Sequence, residues 1–393
     1  NTVDKIDYLV LFVAAMLSTW WIFRDIHRIA ILKNITDNPD ARKLQKVPVP
    51  CLGGVAVFFG IIMALLIAGI EFEASKMFTI VCAFTLMLCI GTMDDILSLS
   101  PLFRFCMEVL IIMLLIYGGS GYIDNFHGLW GVYSIPDWIA IPLTIFACVG
   151  IINAINLIDG VNGLCSGYCI MACIAFGTVA IWSGDQKSAS FAAIFTGALI
   201  PFFLHNVFGN KSKMFLGDGG TLMMGTIIAY FVISMLKSDS ALTFVADDNF
   251  GFIPFTLAVL AIPIFDTLRV MTSRILRGTS PFSPDKTHLH HMLFQCRFSH
   301  VGTTMTEILG NIFIVAVWFA CWRLGASVEL QLYVVILLGL LGTFGFYRYG
   351  AAMEKRRGAG WRVLSRIGER THVEHTKWFE WVTRIVDKRY EAE

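Results

Sequence analysis

Eleven stretches of roughly twenty mostly apolar residues follow one another along the chain. They lie near 7–24, 51–70, 77–93, 103–119, 137–157, 164–182, 188–208, 217–236, 251–270, 302–323 and 329–347. Each is long enough to cross a bilayer as a helix, the one open-ended form that satisfies its own backbone in lipid. The fold expected is therefore an all-α integral membrane protein with about eleven transmembrane helices. Composition agrees: 56% of residues are hydrophobic and 15% charged, and mean hydropathy is +0.69. A soluble domain carries roughly 25% charged residues. The net charge of +1 points to no partner, and no basic patch suited to nucleic acid stands out. The ten cysteines lie mostly inside apolar runs without CxxC pairs, so neither a disulfide framework nor a zinc ribbon is implied. The first apolar stretch has no cleavage-site pattern and reads as a retained span.

Basic residues orient the bundle. Arg24, Arg28, Lys33, Arg42, Lys43 and Lys46 follow the first span. Further cations follow spans three, seven and nine, and Arg348, Lys355, Arg356 and Arg357 open the tail, whereas the alternate loops are nearly bare of them. This predicts an outside N-terminus and a cytoplasmic C-terminus. Every cluster of acids and amides then falls on the cytoplasmic side, which is the expected active-site face.

Four clusters carry chemistry. Asn153, Asn156, Asp159, Gly160, Asn162 and Gly163 form a polar turn after the fifth span. Polar groups there suit a phosphate or a base edge, although interhelical asparagine bonds and an ordinary Asp-Gly turn explain them too. Asp94-Asp95 ends the third span, and two adjacent carboxylates need a cation, a proton or a basic partner; Arg104, ten residues on, is placed to face back. A magnesium or phosphate site and a helix-boundary cap are equally good accounts of the pair. Gly217-Asp218-Gly219-Gly220 opens the eighth span, where bare helix amides favour an anion, though a capping aspartate in a tight turn is the commoner reason for such a motif. The loop from Arg274 to His291 holds Arg277, Lys286, His288 and His290, with Pro281 and Pro284 keeping its middle extended. Its positive charge fits anion recognition better than zinc. A fifth stretch, Pro39–Gly54, is basic and includes Lys46; it suits the entry of an anionic headgroup or simple positive-inside anchoring.

The chain divides by character into a polytopic membrane unit, 1–348, and a charged tail, 349–393. Trp378, Trp381, Val382, Ile385 and Val386 are spaced as the apolar stripe of an amphipathic helix. That stripe suits the inner leaflet, a second subunit, or the chain's own loops.

Taken in order, RK…PVPxxGG, DD, NxxNxxDGxxGL, a glycine-flanked aspartate and HLHH behind PFSPD resemble the polyprenyl-phosphate N-acetylhexosamine-1-phosphate transferases. The resemblance covers residues 35–300 and is nearer the bacterial WecA and TagO branch, which uses UDP-N-acetylglucosamine, than the MraY branch. It implies transfer of N-acetylglucosamine-1-phosphate from UDP-GlcNAc to undecaprenyl phosphate, releasing UMP and initiating cell-envelope polysaccharide synthesis. It further implies magnesium (manganese as the alternative ion), a homodimer, and the bacterial inner membrane as location. By the same resemblance Asp94, Asp95 and Asp159 are catalytic, and Asp218 and Asn156 hold the metal. Arg104, Asn153, Asn162, Arg274, Arg277, His288, His290, His291 and Lys46 bind substrate. Two positions depart from the pattern: Asn162 stands where many bacterial members have aspartate, and Gln45 where a histidine is common. Neither can act as that acid or imidazole. Direct attack and an aspartyl-phosphate route are both compatible with these residues. The rivals are the same reaction with another UDP-sugar, an ion-coupled transporter, and a non-catalytic scaffold. A transporter predicts repeats and charges at mid-bilayer, and the sequence shows neither.

Overall fold

A computed structural model describes residues 7–37, 48–68, 74–240, 249–280 and 287–390. Apart from a two-residue antiparallel pair, Thr36–Asp37 with Val49–Pro50, and a bridge between Asn125 and Ser134, the regular structure of the described residues is helical. The helices are α1 Tyr8–Leu32, α2 Gly53–Ala68, α3 Ala74–Leu97, α4 Pro101–Leu115, α5 Asp137–Leu157, α6 Leu164–Ser183, α7 Gln186–Phe208 and α8 Gly217–Leu236. They continue as α9 Phe252–Val259, α10 Ala261–Leu276, α11 Leu289–Gln295, α12 His300–Arg323, α13 Val328–Leu340, α14 Phe346–Arg356, α15 Ala359–Arg370 and α16 Lys377–Asp387. The chain is an all-helical, multi-pass membrane protein.

Among the described residues, nine helices are long and apolar enough to cross a membrane, or ten if α9 and α10 form one broken span. The expected count of eleven is not reached. Gly53–Ala68 has 16 residues, short of the ~20 a span needs, and residues 69–70 of the expected span lie outside the described residues. The expected straight span 251–270 is bent by 74° between α9 and α10. Pro263 has no N–H to give the Val259 carbonyl, the usual i−4 acceptor. That carbonyl instead takes the Tyr168 hydroxyl and the Asn311 amide (2.9 Å), while Asn311 Oδ1 receives the Ile262 N–H at 3.0 Å. Side chains from α6 and α12 thus repair a backbone break inside the bundle, as an apolar surrounding requires.

α8 is the axis of the fold. Its residues from Gly219 to Leu236 are all buried, and it packs between α3, α5 and α2. A helix apolar on every side belongs at a bundle's centre. By contrast α1 buries one face, with Leu17 and Trp21 exposed outward as lipid contact demands. Since α8 starts at Gly217, the loops before it and beside it converge on one end of the bundle. The last span is part of a longer helix than expected, 29 residues from Val328 to Arg356.

Candidate active site

The start of α8 is held by the chain that enters α2. Phe215 N–H donates to the Pro50 carbonyl (2.7 Å), and Gly53 and Gly54 N–H donate to Phe215 and Leu216 carbonyls (2.9 Å each). Gly217 turns with φ +73°, and a Cβ there would lie 2.3 Å from the Cys51 carbonyl oxygen and 2.7 Å from Asp95 Oδ2. Only glycine fits that turn. Asp95, from the end of α3, then accepts from the Asp218 N–H (3.0 Å) and the Gly219 N–H (3.3 Å). It therefore caps α8. Two of the amides expected to be bare for an anion are occupied by this carboxylate, which complements the helix dipole. Asn156, near the end of α5, donates to Asp218 Oδ1 (2.9 Å) and to the Thr221 hydroxyl (2.7 Å). α3, α5 and α8 are thus stitched together through Asp218.

Asp94 lies beside Asp218 on the same rim. Its carboxylate accepts from the Leu99 N–H (2.8 Å) and from Arg104 Nη1 (3.1 Å), so Arg104 does face back across the short turn. Arg104 Nε also lies 3.5 Å from Glu108 Oε1, one turn along α4. Glu108 is buried and receives the Asn153 amide at 2.6 Å. Asn153 and Asn156 share α5 but serve different partners: Asn156 reaches the acids directly, Asn153 only through Glu108 and Arg104.

The turn after α5 carries the least committed polar groups. Among the described residues no hydrogen bond reaches the Asp159 carboxylate or the Asn162 side-chain amide. Burial drives the Asp159 carboxyl well above the usual carboxylate range, and Asp218, Asp95 and Asp37 add repulsion. The backbone of the turn is fixed on both sides. The Asn162 N–H meets His300 Nδ1 at 3.3 Å, its carbonyl accepts from Thr304 (2.8 Å), and the Gly163 N–H donates to Asn206 Oδ1 at 2.6 Å.

The histidines form a second, differently built pocket. Asp266, buried on α10, accepts from the Leu289 N–H (3.2 Å) and from Arg269 (2.7 Å), and pairs with His288 Nδ1 at 2.9 Å. Arg269 in turn lies 3.8 Å over the Tyr347 ring and donates to the Thr287 carbonyl. With Nδ1 held by the carboxylate, His288 presents Nε2, which is buried and has no hydrogen-bond partner among the described residues. The His288 and His290 rings stack with centroids 5.6 Å apart. Burial, and then the neighbouring His291 and His288, hold His290 well below the ordinary imidazole pKa. The Asp-Gly turn reaches this pocket at Gly160, where a Cβ would come within 2.8 Å of His290 Nε2.

The structure therefore brings together Asp94, Asp95, Asn156, Asp159, Asp218 and Arg104, with His290 against Gly160. Arg274 is buried at the end of α10, while Arg277 is exposed and its Nε donates to Ser273 on its own helix (3.1 Å). Lys46, Lys286, Pro281 and Pro284 lie outside the described residues. Sequence reasoning missed Glu108, Thr221, Asp266 and the positioning role of Arg269. Glu108 stands four residues from Arg104, and Arg269 three from Asp266, both readable as helix-face ion pairs.

An acidic rim facing stacked imidazoles at the mouth of a membrane bundle is suited to a charged, phosphorylated ligand. Residues 77–236 match the model of glycosyl transferase family 4, a segment that runs from α3 through α8 and contains all four acids of the rim. The chain is 28% identical over 342 residues to the probable undecaprenyl-phosphate N-acetylglucosaminyl 1-phosphate transferase of Bacillus subtilis (strain 168), covering 85% of this chain and 89% of that one. It is 27% identical to the undecaprenyl-phosphate alpha-N-acetylglucosaminyl 1-phosphate transferase of Yersinia pestis (91% and 92% covered). The Escherichia coli (strain K12) protein of that same name is 25% identical (86% and 87% covered). The resemblance read from the motifs is borne out.

Proposed function

We propose that the chain transfers N-acetylglucosamine-1-phosphate from UDP-GlcNAc to undecaprenyl phosphate, giving undecaprenyl-diphosphate-GlcNAc and UMP. A phosphate oxygen of the lipid attacks the β-phosphorus, and the bond from that phosphorus to the bridging oxygen breaks, leaving with UMP. The observation that carries the reading is the convergence of Asp94 on α3, Asp159 on the turn after α5 and Asp218 on α8 at one rim, in a chain with these relatives. Asp94, braced by Arg104, positions the lipid phosphate. Asp95 fixes the start of α8 and with it Asp218. Asn162, whose side-chain amide makes no bond among the described residues, meets the uracil edge, and His288 and His290 hold the diphosphate and sugar.

The donors fit magnesium. They are hard oxygens, and among the described residues no three His, Cys, Asp or Glu are grouped to cage an ion. Magnesium is ordinarily held by one or two carboxylates with substrate phosphates and water completing the shell, so Asp218 and Asp159 suffice. Bound there, it would neutralise charge on the diphosphate as UMP departs. The unshared Asp159 carboxylate, strongly repelled by its neighbours, is the group such an ion relieves most.

The rim faces the cytoplasm of a bacterial inner membrane in this reading, with the N-terminus outside and the C-terminus inside, because the basic loops lie on the rim's side. A homodimer is expected from the resemblance and is checked by the mass of the detergent-solubilised particle. The test of the function is UMP release by purified protein given UDP-GlcNAc and undecaprenyl phosphate, with and without magnesium, beside Asp218→Asn. Release that needs lipid, metal and Asp218 together is expected. Release only with another UDP-sugar moves the substrate, and silence with all of them from folded protein sinks the enzyme reading.

A further inference from the structure

The tail helices α15 and α16 are amphipathic in a way the transfer reaction does not use. Their inner faces grip loops at the rim end of the bundle. Asp387, buried on α16, accepts three backbone N–H groups from Asn210, Lys211 and Ser212 (3.0–3.1 Å) and the Ser212 hydroxyl at 2.6 Å. Just after α15, Thr371 accepts the Ser299 N–H at 3.0 Å, and its carbonyl takes the Ser299 hydroxyl at 2.6 Å. Of the three placements the stripe allowed, the chain's own loops thus take one face only. Outward, Trp378, Trp381 and Ile385 on α16 and Val363 and Ile367 on α15 are between 46% and 63% exposed.

Two independent anchors set the depth of these helices. The continuous helix Val328–Arg356 has 29 residues. At ~1.5 Å per residue it is ~43 Å long, close to the ~40–45 Å of a bilayer with its headgroups. α15 begins three residues later, so it starts at headgroup level. α16 is fixed separately, because Trp378 and Phe379 pack on Phe208, the last residue of the membrane-spanning α7, at 6.0 and 4.8 Å between ring centroids. Charge selects the occupant. Between residues 348 and 390 eleven Lys and Arg face five Asp and Glu. All eleven cations are exposed, whereas Asp387 is buried and Glu369 is paired with Arg297. Exposed tryptophans among cations, at the depth where a span leaves the membrane, are the features of a helix lying in an interface.

We propose that α15 and α16 dock through this outward face on an anionic lipid surface at the rim end of the bundle. Trp378, Trp381 and Ile385 insert at headgroup level, while Arg362, Arg366 and Arg384 meet lipid phosphates. A bilayer covers apolar area that otherwise faces water, and its anionic headgroups attract the exposed cations.

The test uses the full chain in vesicles of phosphatidylcholine with or without 30% phosphatidylglycerol, the phosphatidylcholine brominated near the headgroup. Tryptophan quenching is compared between wild type and the Trp378→Phe/Trp381→Phe protein, so that the difference isolates these two indoles. The expected result is a component quenched by brominated lipid and shielded from aqueous acrylamide. It should grow with phosphatidylglycerol and shrink in Arg362→Glu/Arg366→Glu. Indoles quenched by acrylamide and untouched by bromine overturn the proposal, as does shielding that follows protein density instead of lipid, which assigns the face to a second copy. Equal quenching with and without phosphatidylglycerol overturns the choice of an anionic surface. Should the double variant fail to fold, deuterium uptake by residues 377–387 of the wild type, slower with phosphatidylglycerol than without, decides the same question.

Discussion

Two differently built regions meet at Gly160. In the acid rim, carboxylates outnumber cations: Arg104 and the capped amides of α8 serve Asp94 and Asp95, while Asp159 is left repelled and without a bond among the described residues. In the histidine pocket the balance is inverted, for one buried carboxylate, Asp266, orders Arg269, His288 and the Leu289 amide. The first region lacks positive charge, whereas in the second the charge of Arg269 is balanced by Asp266 and imidazole nitrogens line the pocket. In the proposed reading a divalent cation would meet the carboxylates of the first region and the diphosphate oxygens would meet the imidazoles of the second. The bonding divides differently. The Asp218 carboxylate is met by Asn156 and the His288 ring by Asp266, whereas on the turn of Asp159 and Asn162 the bonds among the described residues reach the backbone.

The rim should break hardest at Asp218. Asp218→Asn keeps an acceptor for Asn156 and so keeps the helix contacts, yet removes the charge. UMP release should fall by about 10²–10³-fold, the usual effect of removing one preorganised electrostatic group. Unchanged turnover would mean the rim is a helix-capping network and nothing more.

In the pocket, Asp266→Asn should cost less. The residue touches no substrate in this reading and acts through His288, so turnover should drop by about 10–100-fold, the range for partners that orient a functional imidazole. Stability should fall too, because Arg269 loses its buried counter-charge. Arg269→Met separates the two effects, since it leaves the Asp266–His288 pair in place. If both variants lose stability but only Asp266→Asn loses turnover beyond that, Asp266 positions His288; equal losses would make the pair purely structural.

How much of this was readable follows from how local each cause is. The spans are written in apolar length, and Asp94, Asp95 and Asp218 lie at span ends where a one-dimensional reading finds them. Arg104 meets Asp94 across a turn of a few residues, so that contact was legible as well. Asp266 was not, because a lone aspartate inside an apolar run gains its meaning from His288, 22 residues on and folded back over it. The break at Leu260 had a local signal in Pro263, but its repair by Tyr168 and Asn311 comes from helices far away in sequence. The tail's stripe was visible; which of its faces meets the loops depended on Asp387 finding three amides about 175 residues earlier.

Asp159 sharpens the comparison through stability alone. Its folded carboxyl titrates above the unfolded value of ~3.9, so its contribution is fully present below that value and is lost as pH rises through the raised folded value. In metal-free protein at pH 7.5, Asp159→Asn should therefore raise Tm, by ~2–4 °C if about 1 kcal/mol of repulsion is relieved. The same substitution should cost activity. A lowered Tm would show that Asp159 already has a partner and would remove the basis for placing a cation beside it.

Across Gly160 the sign is opposite. Burial keeps His290 neutral when folded, whereas the unfolded ring titrates near ~6.5. Its contribution is complete above that value and is lost as pH falls toward the depressed folded value, with a limit of ~1.4 kcal/mol per pH unit. Acidification from pH 7 to 5 should then lower Tm through His290 while Asp159 opposes the fall. His290→Gln, measured by thermal melts across that range, should flatten the decline, and Asp159→Asn should steepen it. Parallel curves for wild type and His290→Gln would place the proton uptake elsewhere and leave the pocket's imidazoles exposed to solvent charge. Divergence in the stated directions would show the two regions titrating against each other across one glycine, with the turn between them bearing the difference.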